Sequence, residues 1–107
     1  MKKVIIAAIS LCSLYASANH CKRNEIVERS YSLMAIKMIK QNCPNTFKNE
    51  NLELVKVAFS SWDTEQSYTF VYEGDHGAEI EVGIEGECMG GYSGPSLEYF
   101  KVINGCY

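Results

Sequence analysis

The chain has 107 residues, 47% of them hydrophobic, and a formal net charge of −3. That length corresponds to one domain. Its 10 basic and 13 acidic side chains argue against nucleic-acid binding, because phosphate recognition needs a cationic surface. Five cysteines, an odd number in so short a chain, have to be accounted for first.

The first 18 residues have the features of a secretory signal peptide. Two lysines at positions 2–3 precede an apolar stretch over 4–14, and Ala-Ser-Ala at 16–18 fits a cleavage site. The apolar stretch is too short to span a membrane, so no membrane span is expected after cleavage. We therefore predict a signal peptide over 1–18, a single domain over 19–107, and a periplasmic or secreted location.

Removal of the signal peptide discards Cys12 and leaves 89 of the 107 residues, with four cysteines. An even set of cysteines in a small exported domain indicates two disulfides. Each bridge stabilises such a domain by about 2–4 kcal/mol. Oxidised cysteines provide no thiolate for catalysis. The four are Cys21, Cys43, Cys88 and Cys106.

A single helix is predicted over 24–42. Asn24 can cap its start, and the glutamates of its first turns favour the positive end of the helix dipole. The helix is expected to end before Pro44, because the residue preceding a proline disfavours helical backbone. Apolar residues at i, i+4, i+7 and i+11 predict the face that packs on a core. They are Val27, Tyr31, Met34 and Met38.

Beyond the helix the apolar period changes from 3.6 to 2, which is typical of strands. Four strands are predicted, over 52–60, 67–73, 78–85 and 96–103. The glycine-containing connection 74–77 suits a hairpin between the second and third. The predicted fold class is α+β, with one N-terminal helix packed on a four-stranded antiparallel meander sheet and two disulfides.

The length of the helix limits the disulfide pairing. About 18 helical residues extend over roughly 27 Å, whereas the two Cα atoms of a disulfide lie within about 7 Å. Cys21, before the helix, is therefore not expected to bond Cys43, after it. Two pairings remain open, and each ties both helix ends to the sheet: Cys21–Cys88 with Cys43–Cys106, or Cys21–Cys106 with Cys43–Cys88.

Glutamates alternate with the apolar residues of the third predicted strand. Glu79, Glu81, Glu85 and Glu87 share one parity, so they project to the face opposite the core. A glycosidase needs one carboxylate in an apolar pocket, and a solvated strand face lacks that environment. The row is either a solvated surface or a binding face for a basic partner.

The segment 86–96 joins the last two strands and is rich in glycine. The composition suits a contact loop, and it equally suits a long connection that needs turns. The serine of this loop nearly matches a nucleophile elbow, but Pro95 replaces the final glycine and a strand follows instead of a helix. We therefore expect contact and not catalysis from its side chains Met89, Tyr92 and Ser93.

The order of one helix followed by an antiparallel meander is similar to cystatin-like builds, although the Q-x-V-x-G hairpin motif is absent. In size and disulfide use, the chain resembles small exported bacterial inhibitors of lysozyme. Some of those inhibitors insert a Ser-Gly loop with a nearby tyrosine into the enzyme cleft. Ser93-Gly94 and Tyr99 resemble that arrangement with a different spacing, and those inhibitors are mostly β. A resemblance of build does not determine function.

The sequence thus predicts a non-enzymatic exported protein of inhibitor or immunity type, which binds and neutralises a basic protein partner. No cofactor, metal or nucleic acid is expected. The alternative is a periplasmic protein that binds a metal or a small ligand, the latter in a pocket lined by Tyr31, Met34 and Tyr68. An enzyme and a structural envelope module also remain open. The candidate partner-binding residues are Glu79, Glu81, Glu85, Met89, Tyr92 and Ser93.

Overall fold

A computed structural model describes residues 21–88 and 94–107, and the predicted signal peptide lies outside them. The four strands form one antiparallel sheet in the order β1-β2-β3-β4, with the long helix α1 packed on one face. This confirms the predicted α+β fold and the meander. In chain order the elements are α1 (Glu25–Asn42), α2 (Pro44–Asn49), β1 (Glu53–Trp62), β2 (Glu65–Glu73), β3 (Glu79–Glu87) and β4 (Ser96–Asn104).

Helix α1 begins at the predicted cap. The side chain of Asn24 accepts hydrogen bonds from the backbone N–H groups of Ile26, at 2.8 Å, and Val27, at 3.1 Å. These bonds satisfy two donors that a helix start leaves without partners. The buried centre of the helix is the ridge formed by Tyr31, Ala35 and Ile39, whereas the predicted stripe members Val27, Met34 and Met38 are partly buried beside it.

The short helix α2 was not predicted, since the sequence there is a polar stretch. Pro44 suits its first position because proline has no N–H to leave unsatisfied. Its stability comes from tertiary contacts with the end of the chain. The hydroxyl of the buried Thr46 donates to the carbonyl oxygen of Gly105, at 2.6 Å, and accepts from the N–H of Tyr107, at 3.0 Å. A pattern within six residues cannot indicate a partner such as Gly105, which lies 59 residues further along the chain.

The core lies between α1 and the middle of the sheet. Residues 68, 70 and 72 of β2 stand directly opposite residues 84, 82 and 80 of β3, all on the helix side. The ring of Tyr68 meets that of Tyr31 edge-on at 5.3 Å, and its hydroxyl bonds the backbone of Asn24. The largest fully buried sheet side chains are Tyr68, Phe70, Ile80, Val82 and Ile84.

The predicted hairpin between β2 and β3 is present, with its turn held by a buried carboxylate. Gly77 in this turn has a φ of 97°, which a glycine adopts without strain. Oε1 of Glu50 accepts from the backbone N–H of His76, at 3.1 Å, and of Ala78, at 3.2 Å. The segment that precedes β1 therefore clamps the hairpin from outside the sheet, a role that sequence reasoning did not assign to Glu50.

Two disulfides tie the helix ends to the sheet, as predicted. Cys21 bonds Cys88, with Cα atoms 5.9 Å apart, and Cys43 bonds Cys106, with Cα atoms 5.0 Å apart. Cys21 and Cys43 are not joined to each other. Because β3 and β4 run antiparallel, the cysteines that follow them lie at opposite ends of the sheet. The start of α1 lies at the Cys88 end, where Ile26 and Val27 border the same cleft as Glu87, and this orientation of the helix selects the observed pairing from the two left open.

Candidate functional site

The sheet face that points away from α1 carries the predicted acidic row. We call it the open face; it consists of the odd-numbered positions of β2 and β3 and the residues paired with them in β1 and β4. Glu79, Glu81 and Glu85 are half-buried on this face, and Glu87 is exposed at its end. The structure thus places these three candidate residues together on one strand, opposite the apolar core.

The register adds glutamates that the sequence analysis did not group with this row. Glu53, Glu73 and Glu79 stand side by side across three adjacent strands, and Glu65 stands opposite Glu87. At paired positions the open face therefore carries seven glutamates against two lysines, a net charge of −5. Strand parity was visible in the sequence, but the lateral row depends on pairing between strands and on a bulge in β1. The two lysines are Lys56 and Lys101.

Charge is also divided between the two layers of the molecule. Residues 21–50, which form the helical layer, contain six Lys or Arg and three Glu, a net charge of +3. Residues 51–88 and 94–107, which form the sheet and its turns, contain two Lys and ten Asp or Glu, a net charge of −8. The small overall charge therefore conceals a strong separation, with the acidic surface on the sheet.

Tyr99 of β4 lies at the centre of the open face. Its ring covers Gly83, where the ring leaves no room for a Cβ atom, so glycine and tyrosine together form a close cross-strand pair. The Tyr99 hydroxyl donates to Oε2 of Glu81 at 2.5 Å and contacts the Thr69 hydroxyl at 3.2 Å. Burial, and then the hydrogen bond to Glu81, raise the pKa of Tyr99 above its ordinary value. This network holds Glu81 in one position.

A second contact orders the same face. The hydroxyl of Ser67 donates to Oε1 of Glu98 at 2.6 Å, although Ser67 is on β2 and Glu98 is on β4. Ser67 and Val71 are both less than 10% exposed on a face that no helix of the described residues covers. Long side chains of the flanking strands therefore cover the centre of the open face, and its carboxylates are presented from a rigid surface.

The loop candidates Met89, Tyr92 and Ser93 lie outside the described residues. Their attachment points are defined, because Cys88 is bonded to Cys21 and its N–H donates to the carbonyl oxygen of Thr64 at 3.0 Å. A shallow cleft of about 160 Å³ lies at this end of the open face, and residues on both sides of the loop line it. The lining of this cleft consists of Glu65, Glu85, Gly86, Glu87, Gly94 and Ser96.

The open face ends in an aromatic side chain at the same end. Trp62 closes β1 opposite Glu65 and is 43% exposed. The chain then turns through Asp63, whose φ of 55° is tolerated by aspartate better than by most residues. Tryptophan is common among the residues that dominate binding energy at protein interfaces. Trp62 is thus an exposed aromatic next to the acidic row.

The residues of the alternative ligand pocket pack together as core. Tyr68 is fully buried and Tyr31 is 5% exposed, and their rings are in contact. A cleft of about 330 Å³ lies on the outer side of Tyr31, between Ile26 of the helix and Glu87 of the sheet. At its floor, Nε2 of Gln66 donates to the Tyr31 hydroxyl at 3.3 Å, and burial raises the pKa of Tyr31.

Within residues 21–88 and 94–107, no group of three or more His, Cys, Asp or Glu side chains is arranged to hold a metal ion. The helices of the same residues include none that is long and apolar enough to cross a membrane. The open face extends about 20 Å along β3 from Glu79 to Glu85, given a rise of about 3.3 Å per residue. Comparison of the chain with protein-family models, with curated proteins and with solved structures found no match.

Proposed function

We propose that this is a small exported protein that binds a basic protein partner through the open face and thereby inhibits or neutralises it. The observation that carries the proposal is that the open face has seven glutamates against two lysines at its paired positions, and that no helix of the described residues covers this face. The two disulfides favour an oxidising compartment, which suits the periplasm or the cell exterior.

The lateral row of three glutamates across β1, β2 and β3 is unfavourable in the free protein. Like charges directly opposite one another on neighbouring strands destabilise a sheet, and Glu53, Glu73 and Glu79 are opposite one another across three strands. A cationic surface that docks on this row removes the repulsion and adds attraction. The association therefore gains free energy from relief of the repulsion as well as from new contacts.

The shape of the open face favours a protein as the partner. Small ligands bind in concave cavities that bury most of their surface, whereas the candidate glutamates Glu79, Glu81 and Glu85 are spread over about 20 Å along one strand. Because disulfides and the Tyr99–Glu81 bond hold the face in place, little conformational entropy is lost on binding. The exposed Trp62 at one end supplies an apolar contact of the kind that protein interfaces use.

The division of charge between the layers would orient the encounter. A basic partner is attracted to the sheet, with a net charge of −8, and repelled by the helical layer, with a net charge of +3. Electrostatic steering of this kind raises association rates and weakens as salt increases. The proposal therefore includes a salt-dependent association rate.

The test uses lysozyme, a basic enzyme that hydrolyses the bacterial cell wall, as the probe. Binding by calorimetry and inhibition of cell-wall lysis would be measured at low and at physiological salt. The variant reverses Glu79 and Glu85 to lysine together and leaves Glu81, which is bonded to Tyr99, unchanged. We expect it to lose at least about tenfold in affinity at low salt, and less at high salt.

The matched control reverses Glu25 and Glu28 to lysine on the helical layer, which changes the net charge by the same amount. It should bind as the unchanged protein does, within about twofold. Equal losses in both double variants would show that net charge alone acts and would overturn the role of the open face. If lysozyme is not bound, the same pair of variants is compared in capture of basic proteins from an envelope extract. Identical capture by all three proteins would also overturn it.

A further inference from the structure

The outer side of α1 is a second surface that the fold leaves uncovered. Tyr31, Ala35 and Ile39 form the buried ridge, and five residues on the opposite side of the helix are all exposed. Their spacing of 3, 4, 4 and 3 residues places them in one line along the helix. At a rise of about 1.5 Å per residue, this line is about 21 Å long. We call it the outer stripe; it consists of Ile26, Arg29, Leu33, Lys37 and Lys40.

The outer stripe combines apolar and basic side chains and contains no acidic one. Ile26 is 75% exposed and Leu33 is 65% exposed, the two highest values among the exposed large apolar side chains of the described residues. Apolar side chains stabilise a fold only to the extent that they leave water, so these two contribute little to the free domain. The salt bridges found within residues 21–88 and 94–107 involve neither Arg29 nor the two lysines of the stripe.

The acidic residues of α1 lie on the flank of the helix that faces β1. Glu25 and Glu28 both line a cleft of about 280 Å³ that they share with Leu54 of β1. Glu28 is also paired with Arg23 at 2.8 Å. The negative charge of the helix is therefore turned toward β1, and the outer stripe keeps its excess of positive charge.

We propose that the outer stripe docks on the surface of a lipid bilayer rich in anionic phospholipids, with α1 lying in the plane of that surface. The side chains of Ile26 and Leu33 would enter the boundary between headgroups and acyl chains, about 5–10 Å deep. Arg29, Lys37 and Lys40 would bind phosphate groups while their methylene stems cover apolar surface. Such a helix lies on a membrane and does not span it.

A bilayer supplies both chemistries that the outer stripe needs. Anionic headgroups lie directly above acyl chains, so basic and apolar side chains that share one line are accommodated together. The other acidic surface available is the open face of a second copy of this chain. Its glutamates would attract the basic side chains but would also be desolvated against Ile26 and Leu33, which is costly for carboxylates. Charge and apolarity together therefore favour a lipid surface.

The division of charge between the layers determines the orientation of the docked protein. The helical layer, with a net charge of +3, would lie against the bilayer, and the sheet, with a net charge of −8, would point away from it. A helix with its side chains is about 10–12 Å thick, which exceeds the Debye length of about 8 Å at physiological salt. Salt therefore screens the repulsion between the open face and the headgroups. This inference does not depend on the proposed function, because vesicle binding is measured without a protein partner.

The first test is co-sedimentation of the oxidised protein with vesicles of equal parts phosphatidylcholine and phosphatidylglycerol. We expect binding that weakens by at least about tenfold on vesicles of phosphatidylcholine alone and that decreases as salt rises. Arg29→Gln together with Lys37→Gln should weaken binding to the mixed vesicles by at least about tenfold, because two cations next to the headgroups are lost. Lys40 is left unchanged because its ammonium group lies 5.8 Å from the centre of the Phe47 ring.

The matched control is Lys56→Gln together with Lys101→Gln on the open face, which removes the same charge from the layer that points away from the bilayer. It should bind within about twofold of the unchanged protein. If the two double variants lose the same affinity, the position of the charge has no influence and the inference is overturned. Leu33→Gln should weaken binding at high salt as well as at low salt, since salt does not screen apolar insertion.

A second measurement uses Trp62, the single tryptophan of the chain. It lies at one end of the open face, so its fluorescence should be neither shifted nor quenched by vesicles that contain brominated lipids. In a Trp62→Phe background, Leu33→Trp should emit at shorter wavelength when bound and should be quenched by the same vesicles. Quenching of Trp62 without quenching at position 33 would assign docking to the sheet and overturn the inference.

Three further outcomes would overturn the inference. The first is a protein that does not bind the mixed vesicles at low salt with up to about 10 mM lipid. The second is binding that every variant retains, because the contact would then lie elsewhere in the chain. The third is self-association without vesicle binding that Arg29→Gln with Lys37→Gln abolishes, which would assign the outer stripe to a second copy of this chain.

Discussion

The two faces of this sheet are built from the same strands, but one face is a buried apolar core and the other is a charged surface. On the helix side, Tyr68, Phe70 and Val82 are fully buried and pack against α1. On the open face, one residue away along each strand, Glu81 and Glu85 are partly exposed to solvent. Stability is concentrated on one face, and the other can carry a net charge of −5 at its paired positions. The difference shows how a small domain combines a sufficient core with a repulsive surface.

The open face is nevertheless ordered by its own contacts. Tyr99 bonds Glu81 above Gly83, and Glu98 accepts from Ser67. These bonds join β2, β3 and β4 on the face that no helix of the described residues covers. Apolar packing on the helix side therefore gives most of the stability, whereas polar contacts on the open face position the charges.

The largest effect is expected from removing an aromatic side chain on the covered face. Phe70→Ala should lower the free energy of unfolding by about 3–5 kcal/mol, because it leaves a cavity in the core. The neighbouring Thr69→Ala, on the open face, should cost about 1 kcal/mol or less, the value of its hydroxyl contact. Chemical denaturation measures both. Equal losses in the two variants would contradict the conclusion that the helix side of the sheet gives most of the stability.

A smaller effect separates two tyrosines on the covered face. The Tyr68 hydroxyl bonds the backbone of Asn24, whereas the Tyr72 hydroxyl is buried without a hydrogen-bond partner among the described residues. Tyr68→Phe should therefore cost about 1 kcal/mol, and Tyr72→Phe should be neutral or stabilising by up to about 1 kcal/mol. A loss of stability in Tyr72→Phe as large as that in Tyr68→Phe would contradict the assignment.

The burial of Tyr72 also predicts that the unchanged protein and Tyr72→Phe differ in stability at alkaline pH. Burial raises the pKa of Tyr72 to about 12 in the folded protein, whereas an exposed tyrosine in the unfolded chain ionises near 10. The contribution of the neutral group is complete below about pH 10 and is lost as the pH rises toward 12. The unchanged protein should lose stability relative to Tyr72→Phe over that interval. Parallel stability curves for the two proteins would refute the assignment.

The smallest effect comes from neutralising the middle of the lateral acidic row. Glu73→Gln removes the charge that stands between Glu53 and Glu79 and should stabilise the free protein by about 0.2–1 kcal/mol. The gain should shrink as salt rises, because salt screens the repulsion in the unchanged protein. Glu25→Gln at the start of α1 is the control, where loss of charge should be neutral or unfavourable. Stabilisation of the same size in both variants would refute a specific repulsion across the sheet.

Most of the fold was predictable from local patterns. The cap at Asn24, the break before Pro44 and the alternation in β2 and β3 are local chemistry, and each predicted the correct element. The helix α2 was missed because a six-residue helix owes its stability to Thr46 and the chain end, 59 residues away in sequence. The clamp by Glu50 was missed for the same reason, since its partners lie in a distant hairpin.

The sequence by itself determined the class of fold, the exclusion of a Cys21–Cys43 bridge and the parity that places Glu79, Glu81 and Glu85 on one face. These follow from periodicity and helix length, which act along the chain. Only the tertiary structure decided the pairing of the cysteines, the position of Tyr99 over Gly83 and the row of Glu53, Glu73 and Glu79. Those features depend on strand register, which bulges shift by single residues, and register is set by packing between elements and not by the pattern within one.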